Sequence, residues 1–242
     1  MIYTKLLFNQ WNGIIALPVL GVWTNTGSLI TAKNYLAGAG TQSAALSFGG
    51  YGGTFILANT EAFNGSTWAN TGSLNVARLA LAGCGSQSAA LSFGGSNSAL
   101  SAATEAFNGS TWTNTGSLIA LREHLAGAGT QSAALSFGGN ASSSTLANTE
   151  AFNGSTWANT GSLINARWGL AGCGTQSAAL SFGGFTGSSI VATTEAFNGS
   201  TWVNTGPLIT ARYELGGTGS QTAGLSFGGA FATYYANTEK YN

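Results

Sequence analysis

The chain has 242 residues and a formal net charge of zero, and only 6% of its residues are charged. A folded chain of this length buries enough surface to form a hydrophobic core without disulfide or metal cross-links. It lacks the basic balance that holds nucleic-acid phosphates, so we expect no nucleic-acid partner. With 44% hydrophobic residues it also lacks the composition of a disordered chain.

Residues 1–22 form the first segment of the chain. They include Lys5 and two short apolar patches, which the polar residues between Asn9 and Asn12 interrupt. This pattern is too broken for a secretory signal and too short to span a bilayer, and no later apolar run approaches membrane length. We therefore predict no membrane insertion, and an N-terminal extension over residues 1–22 that docks onto the rest of the chain or tethers it.

From residue 23 onward the chain is an internal repeat. A Trp recurs at spacings of 44 or 45 residues, and a Glu and a basic residue recur with it. The repeated positions are Trp23, Trp68, Trp112, Trp157 and Trp202; Glu61, Glu105, Glu150, Glu195 and Glu239; and Lys33, Arg78, Arg122, Arg167 and Arg212. Five copies of one unit therefore cover residues 23–242, and a fixed period of this length is typical of repeat architectures.

Each unit has the pattern of four short strands, which we name a, b, c and d. In the second unit we predict strand a over residues 81–85, b over 88–93, c over 104–107 and d over 112–118. Strand b alternates apolar and small polar residues and ends at a double glycine, and an Asn-Gly turn joins c to d. The turn also matches a glycosylation acceptor, but it accounts for the Asn without a sugar. Four strands in 44 or 45 residues are typical of one β-propeller blade, which predicts an all-β fold.

The two ends of the chain predict how the ring closes. The repeat begins with a d strand over residues 23–29 and finishes with a c strand over residues 238–241. Pairing of these two strands would complete a fifth blade and remove the open sheet edges. Strand a carries only small central residues, as a narrow ring requires: Ala39, Cys84, Ala128, Cys173 and Thr218. We predict a five-bladed β-propeller over residues 23–242.

The reactive side chains are few. The repeated Glu and basic residues account for ten of the fourteen charges, and we interpret them as structural ion pairs or as hydrogen-bond partners of loop backbone. Cys84 and Cys173 are predicted to be small buried thiols. A hydrolase would have to combine His124 with Glu123 or Glu214, and nothing else in the spacing indicates such a site. We therefore expect no catalytic residue, metal site or cofactor.

The order of residues within a unit resembles a known family. Gly94-Gly95 after strand b, Glu105-Ala106-Phe107 on c, Trp112 at the start of d and Arg122 after it follow the order of the kelch repeat. The chain thus resembles the kelch-repeat propellers of the galactose oxidase superfamily across all five units. Those propellers usually have six or seven blades and an Asp-Pro turn where this chain has Asn-Gly. The copper oxidases among them need several His and Tyr ligands and a modified Cys, and no matching set is present.

The units are also nearly identical and almost uncharged. In this they resemble kelch units of environmental bacteriophage and bacterial surface proteins. That resemblance implies a virion or an extracellular surface location, while a cytoplasmic location stays open, and it implies a role in adhesion without chemistry.

The differences between the copies are concentrated in two segments. All length variation falls in the loop between b and c, and a second variable spot directly follows the repeated base, between d and the next a. In an up-and-down antiparallel blade these two segments emerge at the same end, which we call the variable face. The a–b and c–d turns emerge at the opposite end, the constant face, and scarcely vary. Free drift would change both faces, so the asymmetry favours recognition at the variable face.

Aromatic side chains and the single His are concentrated near the variable segments. Tyr and Trp among Ser, Gly and Asn are typical of binding surfaces. The residues predicted to bind a ligand are Tyr35, Tyr51, Phe55, His124, Trp168, Phe185, Tyr213, Phe231, Tyr234 and Tyr235. The predicted partner is a glycan or a protein on a cell surface. The alternative is a structural building block of a capsid, tail or surface assembly, with neighbouring subunits as partners and residues 1–22 as its tether.

Overall fold

The protein is a five-bladed β-propeller, as the repeat predicts. The computed structural model describes residues 24–142 and 144–242. Their regular structure consists of short strands, paired antiparallel in small sheets that follow one another around an axis. Within this described part there is no helix of the length and hydropathy that crossing a membrane requires. The predicted extension over residues 1–22 lies outside the described residues.

Four blades each contain one four-stranded sheet. Blade 1 contains β1 (Ala37–Thr41), β2 (Ala44–Phe48), β3 (Thr60–Phe63) and β4 (Trp68–Thr71). The sheet of blade 2 contains β5 (Ala82–Ser86), β6 (Ala89–Phe93), β9 (Thr104–Phe107) and β10 (Trp112–Thr115). Its b–c loop contains a small hairpin of β7 (Ser96–Asn97) and β8 (Ala99–Leu100).

Blade 3 repeats this arrangement with β11 (Ala126–Gly129), β12 (Ala134–Phe137), β15 (Thr149–Phe152) and β16 (Trp157–Thr160), and its loop hairpin is β13 (Asn140–Ala141) with β14 (Ser144–Thr145). Blade 4 contains β17 (Ala171–Thr175), β18 (Ala178–Phe182), β19 (Thr194–Phe197) and β20 (Trp202–Thr205). In blade 5 the described strands are β21 (Gly216–Ser220), β22 (Ala223–Phe227) and β23 (Thr238–Lys240).

The d strands are shorter than predicted. In blade 2 the strand ends at Thr115 rather than at Leu118. The next residue, Gly116, donates its N–H to the carbonyl of Ser155 in blade 3, at 3.1 Å, and Leu118 donates to the carbonyl of Ala102, at 2.9 Å. The backbone therefore leaves its own sheet to bond a neighbouring blade and its own b–c loop, although its apolar pattern continues.

The c–d turns are built around the carboxamide of their Asn. In blade 2 the Asn108 Oδ1 atom accepts hydrogen bonds from the N–H groups of Ser110, at 3.0 Å, and Thr111, at 2.9 Å. Gly109 has a φ of +96°, which a residue with a Cβ adopts only with strain. The turn thus uses the Asn as a local hydrogen-bond acceptor, which accounts for the repeated Asn-Gly-Ser-Thr sequence.

The hydrophobic core lies between consecutive blades. The Phe93 side chain on strand b of blade 2 is fully buried and faces Gly127 on strand a of blade 3. A Cβ at Gly127 would lie 2.5 Å from the Phe93 Cζ atom, so the glycine is what allows the phenyl ring to fit. Trp157 covers the same ring from the other side, with centroids 5.0 Å apart. The same Phe–Gly contact joins each blade to the next along the chain, from blade 1 to blade 5, and a Trp covers the Phe ring at the first three of these junctions.

A Gln that recurs in every unit adds a polar link at each of these four junctions. In blade 3, Gln131 donates from Nε2 to the carbonyls of Ala90, at 3.0 Å, and Phe107, at 2.6 Å, in blade 2. Gln87, Gln176 and Gln221 do the same in their blades. These bonds connect the a–b turn of one blade to strands b and c of the preceding blade.

The junction between blade 5 and blade 1 is packed differently. Phe227, the counterpart of the fully buried Phe93, is 39% exposed. Among the described residues, Gln42 makes no bond like those of Gln131, and the c strand β23 has no partner strand other than β22. The strand predicted to complete blade 5 covers residues 23–29, of which residues 24–29 are described and form no strand. Trp23 lies outside the described residues, so closure of the ring through this segment stays a prediction.

Candidate functional site

Short β-bridges join the two variable segments in every blade. The residue after the repeated base pairs with the first residue after the double glycine, and Trp168 and Phe185 exchange hydrogen bonds of 3.0 and 2.9 Å in this way. The five pairs are Asn34 with Tyr51, Leu79 with Ser96, Glu123 with Asn140, Trp168 with Phe185 and Tyr213 with Ala230. The positions at which the copies differ therefore lie side by side on one face.

A buried Arg holds this face in place from below. In blade 2, Arg78 donates from Nη1 to the carbonyls of Gly94, at 2.6 Å, and Ala103, at 3.0 Å, which lie at the two ends of the b–c loop. Its Nη2 atom donates to Ser92 Oγ, at 2.8 Å, and to Glu105 Oε1, at 2.9 Å. The side chain is fully buried. Because one group bonds both loop ends, the variable loop has a fixed base.

The structural ion pairs predicted from the repeat are confirmed. The basic residues and their partners are Lys33 with Glu61, Arg78 with Glu105, Arg122 with Glu150, Arg167 with Glu195 and Arg212 with Glu239. Burial lowers the pKa of Arg167 to about 10, and the opposing charge of Glu195 counteracts only part of this effect. The guanidinium therefore stays charged at neutral pH and remains a hydrogen-bond donor.

Five equivalent residues form the rim of the axial opening. Tyr35, Ala80, His124 and Glu214 have φ values between +51° and +53°, and Gly169 has +61°. Four of them donate their N–H to the carbonyl of the preceding rim residue, from Ala80 to Tyr35 at 2.9 Å through to Glu214 to Gly169 at 2.6 Å, and no such bond joins Tyr35 to Glu214. These five positions carry five different side chains, so backbone geometry is repeated while chemistry is not.

The rim surrounds a depression of about 430 Å³ on the axis, which we call the axial funnel. The leucines that directly follow the rim residues also line it, but all except Leu36 are buried with their side chains packed between the blades: Leu36, Leu81, Leu125, Leu170 and Leu215. Asn34 and Tyr234 complete the lining. The surface of the funnel is therefore formed mainly by the rim residues, Asn34 and Tyr234, several of which carry polar groups.

The polar groups of the rim come from alternate blades. His124 Nδ1 lies 3.7 Å from Glu214 Oε1, and the Tyr35 ring meets the imidazole edge-on with centroids 5.5 Å apart. The negative charge of Glu214 raises the pKa of the Tyr35 phenol, and burial adds to this effect. Ala80 and Gly169 lie between these residues on the ring and are small enough to let the larger side chains meet.

A second group of predicted residues packs into one aromatic cluster across blades 3 to 5. The Trp168 ring lies 5.5 Å from Phe185, 5.6 Å from Tyr213 and 5.2 Å from His124, measured between centroids. All four are half-buried. These side chains therefore contribute to packing as well as to the surface, and they connect the outer loops to the axial funnel.

The remaining predicted residues lie further out on the face. Phe55 is 72% exposed and Tyr234 93% exposed, and Phe231 is also exposed. Tyr51 is half-buried, with its hydroxyl donating to the carbonyl of Gly53 at 2.8 Å, and Tyr235 is half-buried as well. The ten predicted residues thus divide into the axial rim, the aromatic cluster and the separate loop positions, and not all of them meet at one point.

Glu214 and the five leucines line the funnel but were not among the predicted binding residues. Alignment of the repeat units would have identified them, because Glu214 occupies the same position in the fifth unit as His124 does in the third. Glu123 takes no part in the funnel and instead accepts a hydrogen bond from Ser96 at 2.5 Å. In the described part of the chain no three His, Cys, Asp or Glu side chains are grouped as a metal site would need, and Cys84 and Cys173 are buried free thiols.

Together these features define the class of the protein, a five-bladed β-propeller whose variable residues are joined in pairs on one face around an axial funnel. Neither the protein-family models nor the curated proteins with which the chain was compared match it.

Proposed function

We propose that the chain is a kelch-type propeller that acts as a non-catalytic binding module. Its partner in this proposal is a glycan or a protein on a cell surface, and its location is a virion or another exposed surface. The order of the double glycine, the Glu-x-aromatic pair, the Trp and the Arg in each unit supports the kelch assignment. The near-identity and low charge of the units support the virion or surface context.

One observation carries the binding proposal: the backbone pairs the two variable segments of each blade directly, as at Trp168 and Phe185. A protein that needed the ring only as a spacer would have no reason to join its variable positions on one face. The buried Arg beneath the b–c loop in blades 2 to 5 also lowers the entropic cost of binding, because the loop base is already ordered. Exposed aromatics at the loop tips supply contact area.

The proposal is tested with a glycan and cell-surface binding screen on the full chain. The matched variant replaces the two exposed loop aromatics together, as Phe55→Ser with Phe231→Ser, because neither is needed for the core. The control is Ser132→Ala, an exposed position in an a–b turn of the constant face. We expect the double variant to lose at least tenfold in affinity and the control to lose nothing. Equal binding by all three proteins would refute recognition through the variable loops.

The alternative role as a building block predicts a different result. Deletion of residues 1–22 would then abolish assembly while sparing the folded ring, and surface binding would be absent in every protein tested. Electron microscopy and sedimentation of the full-length and truncated chains distinguish the two roles.

A further inference from the structure

The junction between blades 5 and 1, which we call the seam, exposes two surfaces that are covered at the other four junctions. On blade 1, Gly38 and Gln42 are exposed, and Leu36 is 36% exposed although its counterparts in the other blades are buried. On blade 5, Phe227 and Thr238 are exposed. Groups that pack blade against blade elsewhere therefore face solvent on both sides of the seam.

The Phe227 ring turns back onto its own blade instead of crossing the seam. Among the described residues, a Cβ at Gly38 would contact only a backbone carbonyl of blade 1, at 3.2 Å, whereas the counterpart Gly127 faces the ring of Phe93. Phe227 lies against Gly216 of its own strand a, where a Cβ would overlap the ring. Alanine occupies this position in the other four blades. The glycine of blade 5 thus provides the space that the ring takes in the single chain.

The polar contact of the internal junctions is also different at the seam. Trp157 donates its indole N–H to Thr104 of the preceding blade, at 3.0 Å. The equivalent Trp68 donates instead to the carbonyl of Gly27, at 3.1 Å, and the hydroxyl that would correspond to Thr104 belongs to the exposed Thr238. The segment that leads into blade 1 therefore lies against blade 1, while β23 keeps a free edge within the described chain.

From these observations we propose that the seam is an interface between two copies of the chain, in which blade 5 of one copy docks against blade 1 of the next. The two surfaces are complementary, because the chain already joins their equivalents at four junctions by a Phe against a Gly and a Gln on two carbonyls, and at three of them by a Trp on a Thr. Each copy carries one surface of each kind, so the contact is head-to-tail. Docking buries apolar groups and gives the free edge of β23 a partner.

A second copy fits the seam better than closure within one chain does. The four formed junctions fix the positions of blades 5 and 1, and at those positions Phe227 and Gly38 do not meet. A second copy is not held by the ring, so its blade 1 can approach blade 5 until the contacts of an internal junction form. The interface uses none of the ten residues predicted to bind a ligand, and the inference therefore goes beyond the proposed function and is independent of it.

The test uses two variants of the full chain that each disable one surface. Gly38→Ala places a methyl group where the incoming phenyl ring would lie, and Phe227→Ala removes that ring from the other surface. Neither variant can bind its own kind, because a head-to-tail contact needs one intact surface of each type. In a mixture, Phe227 of the first variant can still dock on Gly38 of the second, and the pair then stops at one chain of each kind.

Size-exclusion chromatography with light scattering and sedimentation velocity measure the mass of each sample over a wide range of concentration. We expect the parent chain to assemble as its concentration rises, each variant alone to stay a monomer, and the equimolar mixture to double in mass. Ser132→Ala, on the constant face, is the control and should assemble like the parent chain. Circular dichroism and thermal unfolding check that the variants are folded.

The proposal is overturned if the parent chain is a monomer at every concentration, if either variant alone assembles like the parent, or if the mixture contains no complex of the two. A monomer that Gly38→Ala destabilises as much as Gly127→Ala does would mean that the seam closes within one chain, since Gly127 lies in a formed junction. Failure of the proposed function is a separate result, because the glycan and cell-surface screen reports on the variable face in monomers and assemblies alike.

Discussion

Arg78 and Glu105 are fully buried and face each other with Nη2 2.9 Å from Oε1, whereas at the equivalent position in blade 1 the Nζ atom of Lys33 lies 3.6 Å from Glu61. The difference follows from the shape of the two cations. The planar fork of Arg78 reaches two carbonyls, a hydroxyl and the carboxylate at once, while Lys33 has one side-chain bond besides its ion pair, a long one of 3.5 Å to Asn59. The repeat therefore contains its own comparison of Arg with Lys in one environment.

We predict that Lys33→Arg stabilises the protein. The new guanidinium would reach the carbonyls of Gly49 and Asn59, the counterparts of those that Arg78 bonds in blade 2. Two added hydrogen bonds from a charged donor are expected to raise the free energy of unfolding by about 1–3 kcal/mol. Urea unfolding measures this, and the reverse change Arg78→Lys should lower stability by a similar amount. A loss of stability in both variants would contradict the prediction that Arg stabilises this position of the repeat more than Lys does.

The fold was largely predictable because the repeat specifies it five times. The Asn-Gly turns, the double glycines and the small centres of strand a, such as Ala128, are local signals, and each copy confirms the others. The ion pairs were predictable for the same reason, since Glu105 and Arg78 recur at fixed spacing in every unit. Symmetry then places equivalent residues at equivalent radii.

The centre of the candidate site was less predictable because it depends on unlike residues from different blades. His124 and Glu214 are 90 positions apart and meet across Gly169, which lies on the blade between them and has no side chain. The width of the axial opening also decides whether such side chains touch, and no local pattern encodes that width. The early end of strand d at Thr115 was missed because hydrogen bonds to a neighbouring blade replace the sheet there.

Closure of the ring is tested through Trp23. Trp157 occupies the equivalent position in blade 3. The Trp157 ring packs between Phe152 and Phe93, with centroids 5.0 Å from each, and its Nε1 donates to Thr104 Oγ1 at 3.0 Å. The equivalent partners for the closing strand are Tyr241, Phe182 and Thr194, which line a pocket of about 70 Å³ between blades 4 and 5.

We predict that Trp23→Ala lowers the free energy of unfolding by about 3–5 kcal/mol, as expected for removal of a large core side chain. Trp157→Ala is the matched change inside an established junction and should cost a similar amount. Thermal and urea unfolding of both variants provide the measurement. If Trp157→Ala destabilises the protein and Trp23→Ala has no effect, the closing strand does not fill this junction.

The two thiols give a prediction with a defined pH range. Burial raises the pKa of Cys84 to about 12 and that of Cys173 to about 11, against an ordinary value of 9.0. Between pH 9 and pH 11 the unfolded chain therefore holds fewer protons than the folded one, and stability falls as the pH rises through this range. The variant Cys84→Ala, Cys173→Ala, which carries the residue found in blades 1 and 3, should lose this part of the decline.

Alkylation measures the same shift directly. At pH 8 the buried Cys84 has roughly a thousandfold less thiolate than a free Cys, so iodoacetamide should label the folded protein far more slowly than the protein in urea. Rapid labelling of the folded chain would show that these positions are open to solvent.

The variable face offers a final contrast between two aromatic residues. Tyr234 is 93% exposed, whereas Trp168 is half-buried against Phe185, Tyr213 and His124. We predict that Tyr234→Ala reduces partner binding and leaves the free energy of unfolding within about 0.5 kcal/mol of the parent, because an exposed side chain contributes little to packing. Trp168→Ala should reduce both, with a stability loss of about 2–4 kcal/mol from the disrupted cluster. Binding assays and urea unfolding on the same preparations separate the two effects. If Tyr234→Ala lost as much stability as Trp168→Ala, the loop aromatics would belong to the core and not to a recognition surface.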